Sequence, residues 1–262
     1  MSLKIAIGGK GGVGKTTVTS VIARAITLLA FDKKVIAIDA DPVANLAAGL
    51  GIDESKPIVP VSELSSLIAQ RTGAKHGTMG GFFSLNPKVD DLPDKLSIEK
   101  DKIKLLVMGT VQKGGSGCIC PESTMLKALM NHLILARNEI VIMDMEAGIE
   151  HLGRATSGSM DALIIVVNPG KRSQIAADKI KKLGMDIGIK NIMVIGNKIK
   201  TKEDKNLIEN NMKNFDILGF IPEFDEIINA DKKGVRPFDD INTIPDEVKT
   251  ITKKLLWLTK KT

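Results

Sequence analysis

Aromatic side chains are scarce in this chain of 262 residues: one Trp, seven Phe and no Tyr. Proteins that grip single-stranded nucleic acid by stacking need aromatic platforms, so that class is not expected. Cysteine is scarcer still, with only Cys118 and Cys120. Residues two apart rarely reach the geometry of an unstrained disulfide. No window approaches the ~18 consecutive apolar residues of a membrane span. No basic segment followed by a short apolar stretch opens the chain as a secretory signal would. These absences lead to the expectation of a cytoplasmic protein in a reducing compartment. The charge is mildly positive, +6 from 37 basic and 31 acidic residues. The excess is scattered lysine, which reads as a solvated surface and not as a nucleic-acid groove.

What the chain does have is alternation. Apolar, β-branched runs fall at 4–8, 34–39, 103–108, 139–143, 162–168, 191–197 and 217–221. Continuous runs of this kind suit strands buried on both faces. Helical spacing of apolar residues lies at 16–29, 123–136, 174–183, 202–212 and 246–258. The expected fold is α/β, three-layered, with a mostly parallel central sheet of about seven or eight strands and helices on both faces. One domain over 1–262 accommodates it. Residues 72–101, with glycines and prolines early and acids later, read as a surface insertion. Ligands of such sheets bind at the carboxyl ends of the strands.

The first strand leads into Gly8-Gly9-Lys10-Gly11-Gly12-Val13-Gly14-Lys15-Thr16-Thr17. This matches the phosphate-loop pattern G-x-x-x-x-G-K-[ST], in its required place between a strand and a helix. Glycines let backbone N–H groups close around phosphate oxygens. The helix N-terminus adds partial positive charge. Lys15 is expected to reach the β- and γ-phosphates of ATP or ADP, and Thr16 to bind Mg²⁺. Lys10 is a second lysine inside the loop, and a loop that only held nucleotide would not need it.

Two more strand ends carry carboxylates. Asp39-Ala40-Asp41-Pro42, followed by Asn45, can act on Mg²⁺ and on an attacking water. Asp144-Met145-Glu146-Ala147-Gly148 ends another strand, with Asp144 in the Walker B position. Gly148 suits a backbone that moves toward the terminal phosphate. Asn197-Lys198 ends a third, where a side-chain amide can read a purine base. Lys200 stands where a guanine site would want Asp, which favours adenine. Pro222 and Glu223 are candidates for the other wall of the base pocket.

Cys118-Ile119-Cys120-Pro121 follows a glycine run and precedes a helix. Pro121 suits the first helical position, which puts Cys120 near the N-cap. Thiols there are more often thiolate, the metal-binding form. Two thiolates are half of a tetrahedral Zn²⁺ or Ni²⁺ site, and His132 lies about three turns away along the helix. A two-fold dimer would supply the other half, because an isologous interface contributes each residue twice. The basic, apolar-striped end of the chain over 248–262 can pack on the domain or lie on a membrane.

The loop with Lys10, the Asp39-Ala-Asp41-Pro segment and Asp144 together resemble the deviant Walker A ATPases. These include the nitrogenase iron protein, MinD and the ParA partition proteins. Cys118-Ile-Cys120-Pro and the stretch from Asp144 through Glu146, Glu150 and His151 to Arg154 are similar to the CooC family, nickel-insertion ATPases that mature carbon monoxide dehydrogenase. The resemblance implies that Lys10 reaches the partner's phosphates across an ATP-bound homodimer. It implies that Asp41 helps activate the hydrolytic water, that Asp144 lies in the second switch, and that two cysteine pairs share one Zn²⁺ or Ni²⁺. The implied client is carbon monoxide dehydrogenase; the composition leads to the expectation of no nucleic-acid partner, and packing of the basic end on the domain is favoured over a membrane. Two other classes compete: an Fe–S electron carrier like the nitrogenase iron protein, and a spatial regulator of the MinD or ParA kind.

Overall fold

A computed structural model of the chain describes residues 2–41, 45–53, 55, 57–74, 82–109, 120–135, 139–145 and 160–258. Several expectations fall outside these residues: Pro42, the glycine run with Cys118 and Ile119, Ala136, the switch stretch from Glu146 through Gly148 to Arg154, and residues 259–262.

The strands are β1 (Leu3–Gly8), β2 (Val35–Asp39), β3 (Ile98–Lys100), β4 (Ile103–Val107), β5 (Ile140–Asp144), β6 (Ala162–Val167), β7 (Ile192–Ile199) and β8 (Asp216–Pro222). They form one sheet in the order β3-β4-β2-β5-β1-β6-β7-β8. Only β3 runs antiparallel, in a hairpin with β4. The helices are α1 (Lys15–Leu29), α2 (Leu46–Gly49), α3 (Ser65–Thr72), α4 (Leu92–Leu96), α5 (Pro121–Leu135), α6 (Lys171–Asp186), α7 (Lys202–Asn211), α8 (Asp225–Lys233) and α9 (Asp246–Leu258).

The seven parallel strands are the apolar runs of the sequence. Their side chains alternate between faces, so each strand feeds two cores. Leu3, Ile5 and Ile7 pack with Val18, Ile22 and Ile26 of α1 on one side. Ala6, Ile38, Val141 and Ile165 pack with Leu129 of α5, Ile180 of α6 and Ile208 of α7 on the other. This is the expected three-layer architecture. Since the seven strands are parallel, all their carboxyl ends lie along one edge. Crossover helices begin at that edge, which puts the N-termini of α1 and α5 there together.

Within the segment 72–101, residues 75–81 lie outside the described residues and the rest is ordered against the domain. Residues 98–100 enter the sheet as β3. The hairpin turns through Asp101 and Lys102, at φ 51° and 66°. Asp101 is held by Arg236 and lies 3.9 Å from Arg24. Val89 and Leu92 are buried in the core beneath α3 and α5, and Arg71 pairs with Asp91 at 2.6 Å. The second half of the segment is therefore stitched to the domain. Three exposed residues with no apolar run carry no strand signal of their own.

The basic end also resolves. Helix α9 buries Val248, Ile251, Thr252 and Leu255 and packs on α1 and β8. Its apolar stripe is core. No helix among the described residues is long and apolar enough to cross a membrane.

Candidate functional site

The glycine-rich loop joins β1 to α1. Gly9 has φ 149°, and a Cβ there would stand 2.5 Å from the Val166 carbonyl oxygen of β6. Gly14 has φ 92°, and a Cβ there would stand 2.4 Å from Asn197 Nδ2. Either position excludes a side chain on both conformation and space. Val13 is buried and pins the loop to the core under α1. Its N–H donates to the Lys10 carbonyl at 3.4 Å. Lys10, Gly11 and Gly12 are exposed on the crest, whereas Lys15 is buried at the base, with Thr16 and Thr17 half-buried beyond it. Helix α1 has no side-chain cap and no acid in its first turn. Its first amides and positive dipole end are thus left to an anion.

Strand register places the carboxylates. Asp144 is paired with Ile7 of β1 and with Asp39 of β2. Asp39 is fully buried. Its Oδ1 accepts the Asp41 N–H at 3.1 Å and its Oδ2 the Leu46 N–H at 3.0 Å. The side chain therefore ties both Asp41, which stays half-buried, and Leu46 to the end of β2. Burial raises the Asp39 pKa, against the lowering effect of those N–H groups.

Asp144 is the more perturbed carboxylate. Its Oδ1 accepts Thr19 Oγ1–H at 3.3 Å. Its Oδ2 is buried with no hydrogen-bond partner among the described residues. Burial pushes its pKa up to about 7, the Thr16 hydrogen bond opposing and the neighbouring Asp39 charge adding to the rise. A buried oxygen with no donor, beside the Thr16 hydroxyl, fits a divalent cation such as Mg²⁺. Thr19 was not among the expected residues. The signal was its spacing, three residues after Thr16 and four after Lys15, on one face of α1.

Asn197 and Lys198 both reach the site, where each meets the phosphate loop. Asn197 Nδ2 donates to the Val13 carbonyl at 2.8 Å, and Lys198 Nζ to the Gly12 carbonyl at 3.0 Å. Both hold the phosphate loop. Glu223 N–H donates to the Ile199 carbonyl at 3.0 Å. Its carboxylate pairs with Lys200 at 2.9 Å. Pro222 ends β8, so Pro222 and Glu223 flank the end of β7.

Cys120 sits at the start of α5. Its carbonyl accepts the Thr124 N–H at 2.9 Å and its Sγ the Ser123 N–H at 3.4 Å. That is N-cap geometry, with Pro121 first in the helix. His132 is on the same helix, about 18 Å further along by helical rise. Among the described residues no cluster of three or more His, Cys, Asp or Glu could hold a metal.

The chain matches the CobQ/CobB/MinD/ParA nucleotide binding domain (CbiA) over residues 4–238. It is 46% identical over 259 residues to an uncharacterized ATP-binding protein of Methanocaldococcus jannaschii, covering 98% of each chain. It is 43% identical over 256 residues to the carbon monoxide dehydrogenase accessory protein CooC of Rhodospirillum rubrum, covering 97% of this chain and 96% of that one. Its fold is similar to that of MinD from Aquifex aeolicus, with a TM-score of 0.67 at 24% identity over 97% and 96% of the two chains. A ParA family ATPase from Chlorobium tepidum gives 0.68 at 19% identity over 97% and 98%. The phosphate loop at the carboxyl edge, flanked by Asp39 and Asp144 in the sheet, agrees with these matches, and the chain belongs to the CobQ/CobB/MinD/ParA nucleotide-binding family as a deviant Walker A ATPase of the CooC type.

Proposed function

We propose that this ATPase is a cytoplasmic, single-domain metallochaperone that assists nickel insertion into carbon monoxide dehydrogenase. It acts as a nucleotide-dependent homodimer carrying Zn²⁺ or Ni²⁺ between protomers. The observation that carries this reading is the place of Cys120. Its Sγ lies at the N-terminus of α5, on the same sheet edge as the phosphate loop. The next element in the chain is β5, which ends at Asp144. One helix–strand unit thus has a thiol at one end and the buried carboxylate of the nucleotide site at the other. With Cys118 it offers two thiolates per protomer, and a tetrahedral site takes four. The similarity to CooC over nearly the whole chain supports the client.

In this reading the loop amides, Lys15 and the α1 N-terminus hold the β- and γ-phosphates of ATP. Thr16 and Asp144 would hold Mg²⁺, which neutralises charge developing on the phosphoryl oxygens. Asp41, placed by Asp39, orients water for in-line attack on the γ-phosphorus. The bond to the bridging oxygen breaks, and ADP and phosphate leave. Lys10, exposed on the crest of the loop, reaches the phosphates of the partner protomer.

Two measurements test this. Metal content and mass are determined together with ADP and with a non-hydrolysable ATP analogue. The expected result is half a metal per chain, found only in the dimer and lost in Cys120→Ala with the fold retained. A full metal per monomer would overturn the shared site. Lys10→Ala should bind ADP as the wild type does and lose at least tenfold in ATP hydrolysis and dimerisation. Unchanged turnover would remove Lys10 from the partner's site.

A further inference from the structure

We infer that the β3–β4 turn is a clasp on α2, and that Lys100, Asp101 and Arg236 act through it as positioning residues for Asp41. The inference rests on the proposed role of Asp41 and deepens it.

The turn is two residues long, since Lys100 pairs with Ile103 across the hairpin. Asp101 and Lys102 both have positive φ, 51° and 66°. Turns of this kind favour Asn-Gly or Asp-Gly, because glycine takes such a conformation without strain. Lys102 forgoes that ease, and a strained residue persists only where its surroundings hold it. Here all three side chains at the turn are in use. Lys100 Nζ donates to the Gly51 carbonyl. Asp101 Oδ2 accepts from Arg236 and lies 3.9 Å from Arg24 Nη1. Lys102 Nζ donates to the Phe31 carbonyl at 2.9 Å.

The first two contacts converge on the end of α2. This helix has four residues, too few to hold a helical turn alone. What fixes it lies beneath it and at its ends. Leu46, Ala47 and Leu50 are buried in the core with α1. A Cβ on Gly49 would stand 2.9 Å from Ser20 Oγ, so the two helices touch closely there. The Gly51 N–H donates to the Ala48 carbonyl and the Ile52 N–H to the Ala47 carbonyl, each at 2.9 Å. Gly51 is left-handed, with φ 67°, which ends the helix. A Cβ on Gly51 would stand 3.2 Å from Arg236 Cγ and Cδ. Arg236 therefore lies over the residue whose carbonyl takes the Lys100 ammonium. Asp101 holds Arg236 there, with Asp239 at 2.7 Å on its Nε.

The other end of α2 meets the nucleotide site. Asp39 Oδ2 accepts the Leu46 N–H, and the same carboxylate accepts the Asp41 N–H through Oδ1. A shift of α2 along α1 thus pulls on the group that ties Asp41. Orienting a water for in-line attack tolerates little displacement, and a misplacement of about 1 Å from a remote mutation can cost about a hundredfold. The ion pairs of the clasp are partly exposed, so their loss changes global stability little.

The test compares Lys100→Met, Lys100→Arg, Asp101→Gly and Lys102→Gly with the wild type. Met keeps an apolar stem without the donor, and Arg keeps a donor. The two glycine variants are matched: each relieves a positive φ. Asp101→Gly cuts the clasp, whereas Lys102→Gly cuts the Phe31 contact, which does not touch α2. Turnover, affinity for Mg·ADP by calorimetry, melting temperature and amide exchange at Leu46 are measured for each.

Lys100→Met and Asp101→Gly should each lower kcat about tenfold. KM for Mg·ATP and affinity for Mg·ADP should stay within about twofold, with the melting temperature nearly unchanged. The Leu46 amide should exchange faster in both. Lys100→Arg and Lys102→Gly should keep the wild-type kcat. Unchanged kcat in Lys100→Met and Asp101→Gly would overturn the clasp. An equal fall in Lys102→Gly would overturn it as well, since that marks a general loosening of the hairpin. So would a loss of Mg·ADP affinity matching the loss of kcat, which marks damage to the whole site. Asp41→Asn is assayed beside them. Wild-type turnover in that variant would overturn the role of Asp41 and the clasp with it, whereas its inactivity beside fully active clasp variants would overturn the clasp alone.

Discussion

Lys15→Ala should lose at least a hundredfold in ATP turnover while keeping its nucleotide-free fold. Lys15 is buried at the base of the loop, with the residue only 8% exposed. In the proposed site it would meet phosphate with little competing water, and removal of one such preorganised donor typically costs about 10²–10³ in rate. The fold should survive because Ala is the better helix former at this first position of α1. The electrostatics supply a second readout. The Lys15 charge is one of the influences holding the Asp144 pKa down, so the variant should titrate Asp144 at still higher pH. Turnover and the carboxyl carbon shift of residue 144 are the measurements. Turnover within tenfold of wild type would place the phosphates elsewhere.

Asp144→Asn should lose turnover as severely and yet stabilise the nucleotide-free protein at alkaline pH. The Asp144 carboxyl is raised from an ordinary value of 3.8 to about 7, chiefly by burial. A raised folded-state pKa means that the folded protein binds the proton more tightly than the unfolded chain. Stability from this group is fully present below pH 3.8 and is lost as pH rises through about 7. The ceiling on that loss is on the order of 4 kcal/mol. The wild type should therefore melt at progressively lower temperature than Asp144→Asn between pH 4 and pH 7, with the two converging toward pH 4. Mg²⁺ with ADP should restore the wild type and not the variant, because only the carboxylate has an oxygen charge to give. Thermal unfolding at several pH values, with and without Mg·ADP, checks both halves. Parallel pH profiles for the two proteins would show that Asp144 is not perturbed in the folded state.

Much of this was legible in the residues themselves. Seven of the eight strands are apolar runs that could be buried only between two layers of helix, and a parallel sheet follows from their alternation with helices. The loop was legible because strand, glycines, Lys15-Thr16 and helix stand in an order that phosphate chemistry demands. Asp39 and Asp144 could be picked out as carboxylates at strand ends. The N-cap place of Cys120 followed from the Pro121 beside it, and the structure agrees.

The remainder depended on which strands are neighbours. Nothing in the linear order says that β5 lies between β1 and β2, yet that adjacency sets Asp39 beside Asp144, one of whose oxygens is buried without a donor among the described residues. The structure adds a second task for Asp39 that the sequence does not show, since its two oxygens each accept an amide, from Asp41 and from Leu46. β3 escaped notice because a three-residue exposed strand has no hydrophobic pattern to give it away. Asn197 and Lys198 show the limit most plainly. The sequence by itself determined that polar residues end β7 near a phosphate loop. Only the tertiary structure decided that they face the loop's carbonyls, because a bulge and a left-handed residue at 198 reverse the alternation that sequence periodicity assumes.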